Sequence, residues 1–213
     1  MTIHVFLADD HAVVRDGLRL LLEAQPDISV VGDASDGRQA VRQAQILTPN
    51  VLIMDIAMPD LNGIEATRQI RACCPMSQVV ILSMHSTKEH IVRAFRAGAL
   101  GYVLKEAAGM EVIDAVRAAS VGRQYISQKL AAIEYYTNSR RWIASPLESL
   151  SAREREVLQL TVEGKSSAKI GDLLALSPKT VTTYRCRLMD KLGLDNLPSL
   201  VKFAIRHGLT PLE

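Results

Sequence analysis

The feature that most constrains the fold of this sequence is a regular alternation of short apolar runs with amphipathic segments over the first 120 residues. The apolar runs lie at Ile3–Ala8, Ile28–Val31, Val51–Met54, Val79–Leu82 and Leu100–Leu104. The helix-like stretches lie near 12–23, 37–46, 63–72, 88–97 and 109–120. Strands and helices that alternate in this way are typical of βαβ units, and the unbroken apolarity of the strands indicates burial on both faces. The sequence therefore predicts a doubly wound parallel sheet of five strands with helices on both faces. In a flavodoxin-like sheet, whose strand order is 2-1-3-4-5, the first and third strands are neighbours.

The pattern changes after about residue 122. A predicted short helix, Gln128–Tyr136, is followed by a polar and basic stretch, which is typical of a linker. Four helix-like segments and no strand follow. We expect a first domain at 1–122, a linker at 123–147 and a small all-α domain at 148–213.

The helical segments of the last part carry clear start signals. Ser151 and Glu154 form a capping box at the start of the first segment. Ser166 or Ser167 opens a short second helix, and Ser177 with Pro178 opens a longer third one. A short helix, a tight turn and a longer helix predict a helix-turn-helix. A fourth helix is predicted at Pro198–His207.

Charge is distributed unevenly between the two parts of the chain. Residues 1–122 carry 11 Lys and Arg against 14 Asp and Glu, whereas residues 123–213 carry 14 against 9. A basic second part favours a polyanionic partner such as DNA. No apolar run approaches the roughly 18 residues that a membrane span needs, and no secretory signal is expected at the N-terminus. Three cysteines without framework spacing suit a reducing cytoplasm.

Charged and hydroxyl side chains collect at the predicted strand ends. Asp9 and Asp10 follow the first strand, Asp55 follows the third, Ser83 ends the fourth and Lys105 ends the fifth. Because the carboxyl ends of parallel strands share one edge of the sheet, these groups should converge on one crevice. Any one aspartate could simply cap a turn or a helix, but the joint pattern favours a site.

The predicted crevice has the chemistry of phosphoryl transfer. Three carboxylates that lie close together repel one another unless a cation sits among them, and a hard, oxygen-seeking ion such as Mg²⁺ fits. The lysine supplies a positive charge for an incoming phosphoryl group, and the serine hydroxyl can donate to its oxygens.

Three short segments and one serine resemble the receiver domain of two-component response regulators, and the resemblance covers about residues 3–120. The matching segments are ADD (Ala8–Asp10), MDIAMPDLNG (Met54–Gly63), Ser83 and GYVLK (Gly101–Lys105). The resemblance implies that Asp55 is the phosphoacceptor. It also implies that Asp10 binds Mg²⁺ directly, that Asp9 binds it through water, and that Ala57 contributes its backbone carbonyl.

The resemblance also assigns switch residues. Ser83 and Tyr102 match the positions that rearrange when the acyl phosphate forms, and Lys105 matches the lysine that contacts the phosphate. Two positions depart from the common pattern. Glu106 stands where receivers usually have a proline after a cis bond, and Met84 stands where a small residue is frequent. These departures bear on the kinetics of phosphorylation.

The basic end resembles the LuxR-type helix-turn-helix over about residues 148–210. The resemblance rests on LSAREREVLQL (Leu150–Leu160) and on SSAKIGDLLALSPKTVTTYRCRLMDKL (Ser166–Leu192). Together with the receiver-like part, the chain is similar to a NarL/FixJ-type response regulator.

The third helix of this part has two distinct faces. The inner stripe is predicted to be Val181, Leu188 and Leu192. The opposite face carries Lys179, Thr182, Thr183 and Cys186. An amphipathic helix with a solvated face is the ordinary reading of such a pattern. The resemblance instead places Thr182, Thr183 and Cys186 at base-reading positions of the major groove, and Lys179 and Arg185 are expected at phosphates.

The sequence as a whole predicts a transcription regulator that is not an enzyme. A sensor histidine kinase would phosphorylate Asp55 with Mg²⁺, and a homodimer formed through the last helix would bind double-stranded DNA. Two alternatives stay open: a DNA-binding protein that needs no phosphorylation, and a stand-alone aspartyl-phosphate hydrolase. The hydrolase would need a further acid/base group and a substrate pocket, which the sequence does not indicate.

Overall fold

The structure is a computed structural model that describes residues 2–130 and 145–209. The chain divides into two compact units, Met1–Arg141 and Trp142–Glu213. Within the described residues, no helix is both long enough and apolar enough to cross a membrane. The predicted helix Gln128–Tyr136 falls largely outside the described residues. Its first three residues form a 3₁₀ turn, Gln128–Leu130.

The first unit is a parallel sheet whose strands alternate with helices. Its strands are β1 (Ile3–Ala8), β2 (Ile28–Ala34), β3 (Val51–Asp55), β4 (Gln78–Ser83), β5 (Gly101–Leu104) and β6 (Tyr125–Ile126). Its helices are α1 (Ala12–Glu23), α2 (Gly37–Leu47), α3 (Gly63–Cys73), α4 (Lys88–Arg96) and α5 (Met110–Ser120). The strand order in the described part is β2-β1-β3-β4-β5-β6, which confirms the doubly wound fold.

The prediction of five strands was wrong by one short strand. β6 lies beside β5, and the expected boundary at residue 122 had placed it in the linker. Tyr125 N–H donates to the Leu100 carbonyl at 2.9 Å, and Ser127 N–H donates to the Tyr102 carbonyl at 2.9 Å. The Ser127 hydroxyl also donates to the Glu111 carboxylate on α5. Two residues are too few to show the periodicity by which a strand is recognised in a sequence.

Two apolar layers cover the two faces of the sheet. All five residues of β3 are buried; Leu52 and Met54 point into one layer, and Val51 and Ile53 point into the other. Fully burying one such side chain contributes about 1.5–3 kcal/mol. The strands are apolar without interruption because helices pack on both faces of the sheet, as predicted.

The loop after β3 is held against the start of α3. Asn62 is the N-cap of α3, and its Oδ1 accepts hydrogen bonds from the N–H groups of Ile64 and Glu65 at 3.1 and 3.0 Å. Gly63 N–H donates to the Ile56 carbonyl at 3.0 Å. A Cβ atom at Gly63 would overlap the backbone carbonyl of Asp55. Only glycine therefore fits at position 63, where the chain packs directly against the backbone of Asp55.

The second unit is all-helical in its described part. Its helices are α6 (Ala152–Val162), α7 (Ser167–Leu174), α8 (Pro178–Leu192) and α9 (Leu197–Arg206). The capping box at Ser151 and Glu154 is present, as predicted. Glu154 also accepts from Lys191 Nζ at 2.7 Å, which ties the start of α6 to the end of α8. Ser166 and Ser177 cap α7 and α8.

The fourth helix begins one residue earlier than predicted. The side chain of Asn196 caps it by accepting from the Ser199 N–H at 2.9 Å, so that Leu197 rather than Pro198 is its first residue. Proline in the first turn is tolerated because the N–H groups there have no partner within the helix.

We expect Gly63→Ala to destabilise the chain by about 1–3 kcal/mol, because the added methyl group forces the backbone of Asp55 to move. Gly17→Ala is the matched control. Gly17 lies inside α1 with open space around its Cα, so this change should stabilise by about 0.5–1 kcal/mol. Urea unfolding of the full chain, followed by circular dichroism, measures both. Equal effects of the two substitutions on stability would contradict the close packing of Gly63 against the Asp55 backbone.

Candidate functional site

Three charged side chains at the ends of β1, β3 and β5 meet at the carboxyl edge of the sheet. Lys105 Nζ lies 2.8 Å from Asp9 Oδ2 and 2.9 Å from Asp55 Oδ2. Both carboxylates are almost fully buried, and Lys105 is largely so. Asp9 follows β1, Asp55 ends β3 and Lys105 follows β5. The parallel register therefore brings together three of the predicted site residues.

Asp10 and His11 form the outer, more exposed side of the same cluster. His11 Nδ1 lies 2.7 Å from Asp10 Oδ1 and 3.2 Å from Asp9 Oδ1. The backbone N–H of His11 also donates to Asp9 Oδ1 at 2.9 Å. Sequence reasoning did not identify His11, since a single histidine after two aspartates has no spacing that singles it out.

Burial makes the charge on Asp55 costly. Desolvation raises the pKa of Asp55 to about 6; the charge of Lys105 opposes this rise and that of Asp9 adds to it. For Lys105, burial acts to lower the pKa, but the Asp55 and Asp9 carboxylates outweigh burial and raise it. Two carboxylates share one ammonium group, so the site keeps an excess of negative charge.

The donor set fits a hard divalent cation. Ligand atoms of Asp9, Asp10, His11 and Asp55 all lie within 4.8 Å of one another. Carboxylate oxygens are the ligands that Mg²⁺ prefers, and Mg²⁺ completes its octahedron with water. Ala57 lies in the loop directly after β3, half-buried and two residues beyond Asp55. Its role as a carbonyl ligand stays a prediction.

Ser83 and Tyr102 converge on the loop after β4. The Ser83 hydroxyl accepts from the His85 N–H at 3.0 Å, and the Tyr102 hydroxyl donates to the His85 carbonyl at 2.6 Å. Tyr102 is fully buried, and burial raises the pKa of its phenol, which keeps the hydroxyl proton available. The register pairs Ser83 with Leu104, one residue before Lys105.

His85 is the second residue that sequence reasoning missed. Its backbone joins Ser83 to Tyr102, and its ring stacks on His90 at 4.3 Å between centroids, with 9° between the planes. Met84 lies beside it and is 72% exposed. A backbone-mediated link of this kind leaves no residue-type signal in the sequence.

The departure at Glu106 has a simple structural outcome. The described residues contain no cis peptide bond, so the bond from Lys105 to Glu106 is trans. Residues Lys105–Ala107 form a 3₁₀ turn, and the Glu106 carboxylate pairs with Lys129 Nζ at 3.0 Å.

The predicted DNA-contacting face of α8 is open to solvent. Val181 and Leu188 are fully buried and Leu192 is partly buried, which confirms the inner stripe. The residues that are exposed on the outer face are Lys179, Thr182, Thr183 and Cys186. Arg185 is half-buried at the side. Arg187, four residues after Thr183, is also exposed and adds a positive charge that the sequence analysis did not assign.

Two protein families match the sequence. The family "Response regulator receiver domain" matches residues 5–117, and "Bacterial regulatory proteins, luxR family" matches residues 148–204. The transcriptional regulatory protein LiaR of Bacillus subtilis (strain 168) is 40% identical over 209 residues, which is 97% of this chain and 99% of LiaR.

Solved structures are similar to the chain as well. A LuxR-family two-component response regulator from Aurantimonas sp. SI85-9A1 is 36% identical, with a TM-score of 0.61 over 65% of this chain and 100% of that one. A structure of two RcsB dimers bound to two parallel DNAs is 27% identical, with a TM-score of 0.60 over 95% of this chain and 98% of that one.

The raised pKa of Asp55 predicts a pH-dependent stability. Between pH 4 and pH 6 the unfolded carboxyl loses its proton before the folded one, so Asp55 increasingly disfavours the folded state as pH rises. At pH 7.5 in a metal chelator this effect amounts to about 3 kcal/mol. The stability of Asp55→Asn relative to the unmodified chain should therefore increase by about that amount between pH 4 and pH 7.5.

Denaturant unfolding at several pH values measures this difference. Asp16→Asn is the control, because Asp16 is exposed on α1 and its substitution should change stability by less than about 0.5 kcal/mol at either pH. If the difference in unfolding free energy between Asp55→Asn and the unmodified chain stays constant across this pH range, ionisation of Asp55 does not destabilise the folded state.

Proposed function

Because this chain belongs to the two-component response regulators that join a receiver domain to a LuxR-type DNA-binding domain, we propose that Asp55 is its phosphoacceptor and that phosphorylation controls DNA binding. The observation that supports this most strongly is the buried pairing of Lys105 with both Asp9 and Asp55. Three free cysteines suit the cytoplasm as the place where a sensor histidine kinase donates the phosphoryl group.

Asp55 is suited to act as the nucleophile. With a pKa of about 6 it is mostly ionised at neutral pH, yet its burial leaves the carboxylate poorly solvated and therefore reactive. A carboxylate oxygen would attack the phosphorus of the phosphohistidine. The bond from phosphorus to the histidine nitrogen would break, and the nitrogen would leave with the bonding electron pair.

Asp9, Asp10 and Asp55, with the Ala57 carbonyl, are the groups that would hold Mg²⁺. A bound Mg²⁺ neutralises charge that develops on the phosphoryl oxygens. Lys105 already lies against Oδ2 of the Asp55 carboxylate. We infer that its ammonium group moves from this oxygen to the phosphoryl group while it stays paired with Asp9.

Ser83 and Tyr102 would carry the change away from the site. The Ser83 hydroxyl accepts one hydrogen bond from His85, so its own proton can be donated to a phosphoryl oxygen. A shift of Ser83 toward Asp55 would pull on the backbone of His85, whose carbonyl holds the Tyr102 hydroxyl. The loop after β4 is therefore the two-state element that phosphorylation would bias.

The output would be DNA binding by a homodimer. The RcsB structure contains dimers on DNA, and α9 offers a surface for the same purpose here. Leu197 is 44% exposed at the start of α9, and Lys202 and Arg206 are exposed along it. Two copies related by a twofold axis would place their α8 helices in successive major grooves.

Phosphorylation of the purified chain tests the proposal. Incubation with Mg²⁺ and a small acyl phosphate should produce a phosphoprotein, seen as a slower band on a phosphate-binding gel, and should increase DNA binding in a gel shift. Asp55→Ala should give neither effect, whereas Asp60→Ala, in the same loop, should still be phosphorylated.

Phosphorylation with no change in DNA affinity or in sedimentation would favour a regulator that binds DNA independently of phosphate. The same phosphorylation level in Asp55→Ala would contradict the assignment of the phosphoacceptor.

The roles on α8 predict two kinds of DNA-binding defect. Lys179→Ala should weaken binding to all sequences alike and reduce the salt slope of log Kd by about 1, because a lysine at a phosphate carries no sequence information. Thr183→Ala should instead change the preference among operator variants, with a cost of about 1–3 kcal/mol at the base that it contacts.

Fluorescence anisotropy over a range of salt concentrations separates the two. Lys88→Ala removes one positive charge from the first unit and should leave the salt slope unchanged. Equal and sequence-independent losses for Lys179→Ala and Thr183→Ala would contradict the assigned roles.

A further inference from the structure

We propose that His11 is a nitrogen ligand in the cation site, which makes this site prefer first-row transition ions such as Ni²⁺ and Zn²⁺ over Mg²⁺. The inference rests on the proposed cation site of Asp9, Asp10 and Asp55 and extends it. None of the roles that the family resemblance implies falls on His11.

The position of the imidazole fits coordination alongside the carboxylates. In octahedral coordination with metal–ligand bonds of about 2.1 Å, neighbouring ligand atoms lie about 3 Å apart. His11 Nδ1 lies 2.7 Å from Asp10 Oδ1 and 3.2 Å from Asp9 Oδ1. An ion that binds Asp10 Oδ1 can therefore contact this nitrogen as well, with little movement of the two side chains.

The backbone holds His11 in place without using its ring. His11 is the N-cap residue of α1 but makes no side-chain capping hydrogen bond. Its N–H donates to Asp9 Oδ1, and its carbonyl accepts from the Val14 and Arg15 N–H groups. Arg15 also donates to the Asp9 carbonyl at 2.6 Å, which fixes the turn from the other side.

The ring itself is 66% exposed, so it contributes little to the core. Its recorded polar contacts are with Asp9 and Asp10, both of which belong to the cation site. Coordination would replace an exposed hydrogen bond, which contributes little to stability, by a metal–nitrogen bond.

The ligand chemistry sets the order of affinities. Mg²⁺ binds oxygen and keeps several waters, so a nitrogen donor adds little to its binding. Imidazole suits Ni²⁺ and Zn²⁺, and affinities for divalent ions rise from Mn²⁺ to Ni²⁺ at a given site. Because all these ions would use the same carboxylates, a transition ion would compete with Mg²⁺ rather than bind beside it.

Isothermal titration calorimetry of the full chain with Ni²⁺, Mn²⁺ and Mg²⁺ tests the inference. Ni²⁺ should bind with a stoichiometry of one and be displaced by excess Mg²⁺. Loss of even an outer partner of a metal ligand typically lowers affinity 10–100-fold, so loss of a direct ligand in His11→Ala should raise the Kd for Ni²⁺ about tenfold or more. The Kd for Mg²⁺ should stay within about threefold, as expected for the loss of an exposed contact.

Two variants serve as controls. His4→Ala removes an exposed imidazole at the opposite end of β1 and should leave both affinities unchanged. Asp10→Ala should weaken Ni²⁺ and Mg²⁺ alike. Thermal unfolding of each variant without metal establishes that it is folded. Should His11→Ala be unfolded, the ¹⁵N imidazole signals of the unmodified chain decide instead, since Zn²⁺ should shift those of His11.

The outcomes distinguish this inference from the proposed function. Suppose that Mg²⁺ binds and supports phosphorylation, but His11→Ala leaves the Ni²⁺ affinity unchanged or Zn²⁺ does not shift the His11 signals. Then only the role of His11 as a nitrogen ligand is overturned. If no divalent ion binds the unmodified chain, the proposed cation site fails, and this inference fails with it.

Discussion

The first unit depends on the way in which one ammonium group is shared between two buried carboxylates. Lys105 contacts both Asp9 and Asp55, and together they join the ends of β1, β3 and β5. Removing Lys105 from this cluster would leave two uncompensated buried carboxylates, which is strongly destabilising. The cluster retains excess negative charge, so it attracts a proton or a further cation. Burial is the main cause of the raised pKa of Asp55, and the excess negative charge accounts for the fit to a divalent ion.

Much of this arrangement could be predicted, because the relevant signals are local. The unbroken apolarity of β3 predicts burial on both faces, and the strand ends then predict where Asp9, Asp55 and Lys105 meet. His11 and His85 escaped prediction for a physical reason. His85 acts through its backbone groups, and the ring of His11 reaches the carboxylates because of where the backbone places it at the start of α1. Residue type and spacing encode neither position. The strand Tyr125–Ile126 escaped because two residues cannot display a period.

In the second unit, too, contacts between residues close in the sequence could be predicted, and contacts between distant residues could not. Ser151 and Ser177 cap their helices as predicted, and Ser166 is the one of the two candidates, Ser166 and Ser167, that caps α7. These caps could be predicted because a cap is a contact between residues three positions apart. The link between Glu154 and Lys191 spans two helices and was not anticipated. The exposed face of α8 follows from periodicity, but which base each side chain contacts depends on the DNA and is beyond any pattern in this chain.

The short strand β6 changes what should be regarded as the end of the first unit. Its hydrogen bonds to Leu100 and Tyr102 cover the outer side of β5. A fragment cut at residue 122 would leave β5 as a bare sheet edge, whose unpaired backbone groups invite self-association. A fragment that ends at Leu130 would keep that edge covered. Moreover, the carbonyl that holds Ser127 belongs to Tyr102, so a mechanical pull on the chain beyond β6 would act directly on the backbone of a predicted switch residue.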